Sequence, residues 1–437
     1  MRIAVDCQVM ASSPMTAPGA TDPDAGQPGW SRTLYAVWFG ELLALVGFSS
    51  RVPFLPFFLG DLGVTDVAGQ TLWSGVINAA GAAALAITSP LWGVLADRYG
   101  RKPMLMRGLF GGAICVTLMG FATAPWQLLA LRILEGSMTG TVAAAAALVA
   151  TSAPRDRMGY ALGMVQTAVF AGAAGGPLLG GFIYDQVGPR VAFWLAGGML
   201  FAGGVVVALF AREHFTRAAR EPLQEREGRW QRLHASSAFL FSAAMLTLFA
   251  AIFVVRMIAM AMQPIIPLFV EQLSPDTADV ATVAGIVLGA AGFTSALAAA
   301  YFGRLGDRIG HRRVLGASLV MSGLLYVPMA FVSSPWHLAL LQGLLGVAAG
   351  GLIPSANALV THLTPHDRRG AIFGITAALS GLGGFVGPLF GAILATVVSF
   401  RATFIAAGIL MLAISALVIW SVSVEENRQR LVSPEPV

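Results

Sequence analysis

Charged residues are scarce in this sequence. Asp, Glu, Lys and Arg make up 11% of its 437 residues, whereas 56% are hydrophobic. Soluble domains contain about 25% charged residues and about 45–50% apolar ones. A chain this apolar lacks the polar side chains that would cover a water-exposed surface. We therefore predict that lipid is the solvent for much of its surface.

Cysteine is nearly absent as well. The two cysteines, Cys7 and Cys115, are too few for a disulfide framework. No GxxxxGK[ST] phosphate loop occurs, which excludes a built-in ATPase. Clustered nucleophiles are lacking, and metal-ligand spacing is absent among the six histidines, at positions 214, 234, 311, 337, 362 and 366. We expect neither a metal nor a cofactor, and an enzyme is not the favoured interpretation.

Long apolar runs are what the sequence has in abundance. Twelve runs are long enough to span the roughly 30 Å hydrocarbon core of a bilayer. Gly and Ala fill them, and the apolar/polar alternation of a membrane barrel is absent. The pattern predicts an all-α integral membrane protein with twelve transmembrane helices, at 34–59, 72–96, 104–123, 126–150, 160–184, 190–210, 241–270, 281–303, 313–333, 335–361, 370–394 and 400–421.

The placement of the basic residues explains the net charge of +5. Most of the 27 Lys and Arg residues fall in the tails and loops on one side of the predicted membrane, whereas the opposite loops contain only Arg190 and Arg401. Positive residues favour the cytoplasmic side. We therefore predict a multi-pass protein of the inner (plasma) membrane with both termini in the cytoplasm, and no nucleic-acid partner.

The charged segment "GVLADRYGRKP" at 93–103 returns as "GRLGDRIGHRR" at 303–313, with Gly, Leu, Asp, Arg and Gly in register. Pro177 likewise matches Pro388, and both halves begin at the cytoplasm. The predicted organisation is a disordered cytoplasmic tail (1–30), an N-terminal six-helix bundle (31–211), a cytoplasmic linker helix or loop (212–236), a C-terminal six-helix bundle (237–424) and a second cytoplasmic tail (425–437).

Four segments carry a resemblance to a known family. The loop at 93–103 is similar to the loop 2–3 signature of the major facilitator superfamily, and "LRILEGSMTG" at 131–140 is similar to its fourth-helix signature. "GAAGGPLLGG" at 172–181 resembles the fifth-helix signature of antiporters, and "VPFLPFFL" at 52–59 resembles the end of helix one in the bacterial MdtG-like group. The chain is thus similar to the twelve-span drug:proton antiporters.

The resemblance implies the major facilitator fold, in which two pseudo-symmetric six-helix bundles rock around a site near the membrane midplane. It implies a secondary active transporter that exchanges protons for small amphiphilic molecules, with the proton gradient as its energy source. We expect a monomer in the lipid bilayer. The alternatives are an uptake symporter or facilitator for an organic anion or sugar-like nutrient, and a transporter-like sensor that binds without flux.

The resemblance also implies a conformational latch in the repeated loops. Its residues here are Gly93, Asp97, Arg98, Gly100, Arg101, Asp307 and Arg308. A carboxylate at the end of a span can accept hydrogen bonds from the free N–H groups that begin a neighbouring helix. The implied partners are the start of helix eleven near 370–371 for Asp97, and helix five for Asp307. The alternative is that these residues only anchor the loops in the cytoplasm.

The antiporter signature lies on helix five, with Gly172, Gly176, Pro177 and Gly180. Small residues let backbones approach closely, and Pro removes a helix donor and favours a bend. We hypothesise that this helix packs on helix eight and seals the central cavity in one state of the cycle. Generic packing of small residues is the alternative.

Five charged residues lie well inside the predicted spans, at least six residues from either end: Glu41, Arg51, Arg132, Glu135 and Arg256. Each costs about 2.5–3.5 kcal/mol on insertion scales, so such residues usually face a cavity and mark function. Glu41 resembles the acidic first-helix position of several multidrug antiporters. Because burial favours the neutral carboxyl group, Glu41 is the first candidate for the coupling proton. The alternative is that Glu41 only reaches the cytoplasmic interface.

Arg132 and Glu135 are three residues apart and share one face of helix four. Glu135 and Arg51 lie at equal depth from the outer ends of helices four and one, which predicts an ion pair between them. Glu135 with Arg132 is the second candidate for proton coupling. A static buried triad is the alternative.

Arg256 lies near the middle of helix seven. It shares a stripe at helical spacing with Phe249, Phe253, Met260 and Gln263. Aromatic and thioether side chains suit a pocket that accepts varied shapes, so this stripe and Arg51 form the candidate substrate cavity. A core or lipid-facing stripe is the alternative. Three arginines against two glutamates leave the cavity positive, which indicates anionic or zwitterionic amphiphiles rather than lipophilic cations.

Overall fold

The computed structural model describes residues 29–213, 215, 242–275, 277–364 and 368–432, without the side chains of 369–371 and 422–432. The secondary structure of this part of the chain is α-helix, apart from a 3₁₀ turn at Arg155–Arg157. The predicted all-α class is thus confirmed. The predicted N-terminal tail and almost the whole predicted linker lie outside the described residues.

The helices follow the predicted spans in order. Those of the first half are α1 (Trp30–Ser50), α2 (Leu55–Asp61), α3 (Val67–Tyr99), α4 (Arg101–Met119), α5 (Pro125–Met138), α6 (Thr141–Ser152), α7 (Met158–Val187) and α8 (Pro189–Phe210). Those of the second half are α9 (Ala243–Leu273), α10 (Val280–Ile309), α11 (His311–Met329), α12 (Pro335–Leu363), α13 (Arg369–Val397) and α14 (Phe400–Val432). Predicted helix one corresponds to α1 and α2, helix four to α5 and α6, helix five to α7, helix seven to α9, helix eight to α10 and helix eleven to α13.

Ten of the predicted spans coincide with helical segments that are long and apolar enough to cross a membrane. The other two correspond to α4 and α11, which have 19 residues each. Arg101 and Lys102 begin α4, and Arg312 and Arg313 lie in the first turn of α11. These basic residues shorten the apolar length of both helices.

Two predicted spans are interrupted. The run at 34–59 contains a turn between α1 and α2, next to Pro53, and proline cannot donate to a continuing helix. The run at 126–150 is broken between α5 and α6, where Gly140 adopts φ +104°, a conformation that favours glycine. Each break interrupts the regular hydrogen bonds of the helix, so the backbone groups at the two new helix ends need partners from turns or side chains.

Helices pack mainly within each half. In the first half α1 lies on α7 and α8, α4 on α8, and α3 on α5. In the second half α9 lies on α13 and α14, α12 on α10 and α11, and α11 on α14. Across the halves the principal contacts are α7 with α10 and α3 with α13.

One end of the molecule carries the α3–α4 and α10–α11 loops with their arginines, and we call it the basic end. At the opposite end the two halves are in close contact. Gly181 of α7 packs directly on the backbone of Ala281 in α10. Asp185 Oδ2 accepts hydrogen bonds from the backbone N–H and from Oγ1 of Thr282, both at 2.6 Å. The first half therefore caps the start of α10 in the second half.

Toward the basic end the two halves separate. A Cβ atom added at Gly93 of α3, Gly303 of α10 or Gly374 of α13 would meet no atom of the described residues within 4 Å. The side chains around these positions are correspondingly open, and Val94 is 69% exposed. Among the described residues, the two halves are therefore in contact at one end and apart at the basic end.

Candidate functional site

Three charged side chains meet where α1 ends beside α5. Arg51 Nη1 lies 2.8 Å from Glu135 Oε1, and Arg132 Nη1 lies 2.7 Å from Glu135 Oε2. Glu135 is 1% exposed and Arg51 is 6% exposed. The predicted pair between Arg51 and Glu135 is thus confirmed. Both carboxylate oxygens are engaged, and the triad keeps one net positive charge.

Two glycines make room for this triad. A Cβ atom added at Gly81 of α3 would lie 2.7 Å from Arg132 Nε, and Gly136 of α5 packs directly on the Gly81 carbonyl group. The two helices therefore approach closely beside the guanidinium group. Sequence analysis missed both residues because the chain contains 51 glycines, and nothing distinguishes these two by composition.

Glu41 lies apart from this ion-pair network. Its side chain is fully buried, at 0% exposure. Oε1 accepts a hydrogen bond from Thr141 Oγ1 at 2.8 Å, whereas Oε2 has no hydrogen-bond partner. Among the described residues Glu41 forms no ion pair. Its one partner is therefore a neutral hydroxyl group.

The break between α5 and α6 brings a helix start to Glu41. Thr141 is the first residue of α6, which runs for 12 residues to Ser152. The free N–H groups and the positive dipole end of a helix stabilise a nearby negative charge. The carboxyl group of Glu41 thus lies beside a helix start, with the Thr141 hydroxyl as its one donor.

Side chains from α3 and α4 bind the end of α5, on the opposite side of the break from Thr141. Arg107 Nη2 donates to the Thr139 carbonyl at 3.0 Å, and its guanidinium carbon lies 3.5 Å from the centre of the Trp92 ring. Trp92 Nε1 donates to the Ser137 carbonyl at 2.6 Å. The carbonyl groups that end α5 are therefore satisfied from outside the helix. Sequence analysis missed Arg107 and Trp92, although Gly140 inside an apolar run was an available signal for a break.

Arg256 lines a cavity of about 310 Å³ in the second half. The cavity lies between α9, α12 and α13, with Leu315 of α11 at its edge. Asn357, Thr376 and Ser380 supply its other polar groups, and the rest of its lining is apolar. Arg256 forms no ion pair with any described residue. The cavity therefore combines apolar walls with one unbalanced positive charge.

The predicted stripe around Arg256 is only partly correct. Phe249 is buried in the core, and Gly383 and Gly387 of α13 pack on the Phe253 and Met260 segments of α9. Arg256 alone among the predicted stripe residues lines the cavity, and Gln263 does not. The α9 residues beside Arg256 there are Ile252, Val255 and Ala259. The stripe follows the α9 face that meets α13, and the cavity lies on the adjacent face.

The glycine-rich signature of α7 contacts two neighbouring helices, α1 and α10. Gly172, Gly176 and Gly180 pack against residues 45–50 of α1 and its end, not against α10 as predicted. Their spacing of four residues places them on one helix face. Pro177 lies on the adjacent face, where its backbone contacts α10. The predicted packing of the two helices is confirmed, but these three glycines do not form it.

The chain thus has buried charges around a broken helix in one half and an arginine-lined cavity in the other. The family model described as Major Facilitator Superfamily matches residues 37–282 and 248–437. The chain belongs to the major facilitator superfamily. Membership in this superfamily makes the chain a membrane transporter and not an enzyme.

Curated relatives within the superfamily match nearly the whole chain. The multidrug resistance protein MdtG of Serratia proteamaculans (strain 568) is 37% identical over 404 residues, which cover 92% of this chain and 96% of that protein. MdtG of Salmonella typhimurium (strain LT2) is 37% identical over 384 residues, which cover 87% of this chain and 93% of that protein. The resemblance to the MdtG-like group is confirmed.

Solved structures of other superfamily members share the fold. A bacterial homologue of the human lysosomal transporter Spinster, in an inward-facing and occupied conformation, has a TM-score of 0.73 at 13% identity and covers 91% of this chain and 97% of its own. The human organic anion transporter MFSD10 (TETRAN) has a TM-score of 0.67 at 19% identity and covers 90% of this chain and 100% of its own. At these identities the likeness shows the fold alone.

The residues predicted to form the latch lie at the basic end. Asp97, Arg98 and Arg308 are exposed. The side chains at the start of α13 lie outside the described residues, so the contact of Asp97 with that helix stays a prediction.

The contact predicted for Asp307 with the start of α7 is absent from the described part of the chain. Asp307 Oδ1 instead lies 3.2 Å from His311 Nε2, one turn further along the chain. Gly159 near the start of α7 meets no described atom within 4 Å of an added Cβ. The physical reason is the separation of the two halves at this end.

Proposed function

We propose that this superfamily member is a multidrug efflux transporter that exchanges protons for small amphiphilic molecules by alternating access. Its 37% identity to MdtG over 92% of the chain supports efflux. The closed end, where Asp185 caps α10, and the open basic end support alternating access, because an alternating-access carrier opens one side at a time. The uptake alternative has no comparable support.

The proposed topology has twelve spans in two pseudo-symmetric six-helix bundles. These bundles lie in the inner membrane, and both termini lie in the cytoplasm. In this topology α4 and α11 cross the bilayer as well. At 1.5 Å per residue, 19 residues extend about 28 Å, close to the hydrocarbon thickness. Arg101, Lys102, Arg312 and Arg313 lie at the starts of these helices, where positive charge favours the cytoplasmic interface.

Glu41 is the proposed carrier of the coupling proton. The single observation that supports this choice is the contrast between the two buried acids. Glu135 is held between two guanidinium groups, which keep it ionised. Glu41 has one hydroxyl partner and one free oxygen, so it can accept a proton without breaking an ion pair. In this proposal the triad of Arg51, Arg132 and Glu135 is structural.

The start of α6 gives Glu41 a second stable form. When Glu41 is ionised, the Thr141 hydroxyl and the positive end of α6 stabilise it. When it is protonated, its burial costs less because a neutral carboxyl group needs less solvation. A group that is stable in both forms within the protein suits a carrier that binds and releases one proton per cycle.

The cavity around Arg256 is the proposed substrate site. Its apolar walls suit amphiphiles of varied shape, and its unpaired arginine favours an anionic or zwitterionic head group. Asn357, Thr376 and Ser380 supply hydrogen-bonding groups that tolerate different head groups. This substrate class remains part of the proposal.

The test uses purified protein in liposomes that contain a pH dye. An imposed substrate gradient, with amphiphilic anions, zwitterions and cations tried in turn, is expected to drive protons in the opposite direction. Protons that move with the substrate would instead favour the uptake symporter. Substrate flux without proton movement would favour a facilitator.

Replacing Arg256 by Gln is expected to weaken the transport of anionic amphiphiles about tenfold or more, because a hydrogen bond to a charged group contributes about 1.5–3 kcal/mol. Neutral amphiphiles should be affected much less. The measurement is the KM for efflux of each class in liposomes. Arg190→Gln, which removes an exposed arginine at the closed end, is the matched control. An equal loss for neutral and anionic substrates would contradict the assignment.

A further inference from the structure

The break between α5 and α6 changes the partners of two backbone carbonyl groups. In a continuous helix each carbonyl accepts from the N–H group four residues further along the chain. Here Trp92 Nε1 donates to the Ser137 carbonyl at 2.6 Å, and Arg107 Nη2 donates to the Thr139 carbonyl at 3.0 Å. The N–H groups that these carbonyls would otherwise bind belong to the first turn of α6. Two side chains from other helices therefore replace the helix's own donors.

A short segment of α4 locates both sides of the break. The guanidinium carbon of Arg107 lies 3.5 Å from the centre of the Trp92 ring, so the two donors are packed on each other. A Cβ atom added at Gly108, the next residue, would lie 2.8 Å from Thr141 Cγ2. Thr141 in turn donates its hydroxyl hydrogen bond to Glu41 at 2.8 Å. The end of α5 and the start of α6 are thus fixed from α4, with Thr141 at Glu41.

The second half of the chain lacks these two donors. In the register of the repeated loops, Trp92 corresponds to Phe302 and Arg107 to Ala317. A phenyl ring and a methyl group have no N–H group to donate. Phe302 nevertheless lies beside α12, 3.3 Å from a Cβ atom added at Gly351. The aromatic contact is therefore kept in the second half, and the two donors are lost.

The corresponding helix of the second half is continuous. It is α12, which runs unbroken over Pro335–Leu363. Counted from Pro125 and Pro335, the first residues of the two segments, Gly140 corresponds to Gly350. Gly350 lies within the helix, whereas Gly140 adopts φ +104°. A glycine at this place thus does not break the helix by itself.

The buried acid follows the same distribution between the halves. Since Pro53 corresponds to Pro264 in the repeat, Glu41 corresponds to Ile252. The half with the broken helix therefore contains the acid together with the two donors. The half with the continuous helix has none of the three at the corresponding positions. Acid, donors and break occur together.

We propose that Arg107 and Trp92 are positioning residues for the proton site. They hold predicted helix four broken, so that the start of α6 and the Thr141 hydroxyl stay at Glu41. Both residues act through the backbone of α5 and not on the carboxyl group, whose one hydrogen-bond partner is Thr141. This inference rests on the proposed role of Glu41 as the proton carrier.

The test measures proton movement coupled to substrate flux in liposomes, per reconstituted molecule. Arg107→Gln is expected to lower this flux about tenfold, because it removes a charged donor from the Thr139 carbonyl. Arg107→Lys keeps a cationic donor and should recover part of the flux. Trp92→Phe keeps the ring but removes a neutral donor, and it should lower the flux about fivefold. This milder variant keeps the proposal testable if Arg107→Gln does not fold.

The matched control is Phe302→Leu, which changes the corresponding aromatic contact beside the continuous helix and should leave the coupled flux unchanged. A loss in Phe302→Leu equal to that in Trp92→Phe would overturn the proposal, because the aromatic contact and not the donated hydrogen bond would then matter. Wild-type flux in both Arg107→Gln and Trp92→Phe would overturn it as well.

A double-mutant cycle separates positioning from a general structural role. Thr141→Ala alone is expected to lower the coupled flux about tenfold, since it removes the one donor to the Glu41 carboxyl group. Arg107→Gln added to it should lower the flux by less than about twofold more, because both changes act on the same hydrogen bond. Independent losses that multiply to about a hundredfold would overturn the proposal.

The same assay distinguishes failure of this inference from failure of the proposed proton carrier. Loss of flux in Glu41→Gln and Thr141→Ala, but not in Arg107→Gln, would reject the positioning role alone. Wild-type proton flux in Glu41→Gln would reject the role of Glu41 and the positioning role with it.

Discussion

Glu41→Gln is expected to abolish proton movement coupled to substrate flux, down to the level of protein-free liposomes. The glutamine side chain keeps the size of Glu41 and can still bond to the Thr141 hydroxyl, but it cannot bind and release a proton. The measurement is the signal of an internal pH dye in liposomes under an imposed substrate gradient.

Two control variants separate loss of the carboxyl group from loss of packing. Glu41→Asp keeps a titratable group at the start of α6 and should keep part of the proton flux. Thr141→Ser keeps the hydroxyl donor and should keep most of it. Full proton-driven transport by Glu41→Gln would reject Glu41 as the carrier.

Glu135→Gln is expected to destabilise the protein by about 3–5 kcal/mol, the usual cost of removing one partner from a buried ion pair. The change leaves Arg51 and Arg132 as buried like charges without a counter-ion. Cys115 is 1% exposed and reports the loss of structure when a thiol-reactive dye reaches it. A lower apparent unfolding temperature in detergent, measured on a Cys7→Ser background, is the expected result.

A second substitution tests the origin of that loss. Glu135→Gln combined with Arg51→Met removes one of the unpaired charges and should restore part of the unfolding temperature, because residues of one network are not additive. An unchanged temperature in Glu135→Gln alone would show that the triad does not stabilise the fold. Glu135 would then return as a candidate for the proton site.

Regular helix geometry explains what could be predicted from the sequence. Counting residues from the outer ends of two apolar runs placed Arg51 and Glu135 at one depth, because the rise per residue in a helix is constant. The pair is present at 2.8 Å. The small residues of the antiporter signature likewise predicted the contact between α7 and α10, which the structure contains, although Gly172, Gly176 and Gly180 do not form it.

Contacts between distant segments explain what could not be predicted. Periodicity shows that Phe253, Arg256 and Met260 share a region of α9, but not which neighbour that region meets. The α5–α6 break was not predicted because the run at 126–150 is long enough for one continuous span, and Gly140 is only one of 51 glycines in the chain. Arg107 of α4 and Trp92 of α3 satisfy the carbonyl groups at the break, and no local pattern in the sequence links either residue to it.

The buried charges also determine how the proposed cycle responds to the membrane potential. Arg51, Arg132, Arg256 and Glu135 together carry two positive charges, and an ionised Glu41 and a monoanionic substrate bring the loaded carrier to zero. The empty, protonated carrier keeps two positive charges as it returns. Since one charge moved through 100 mV corresponds to about 2.3 kcal/mol, a negative interior favours this return by about 5 kcal/mol per 100 mV. Voltage therefore acts on the return of the carrier, and the step that carries the substrate is electrically silent.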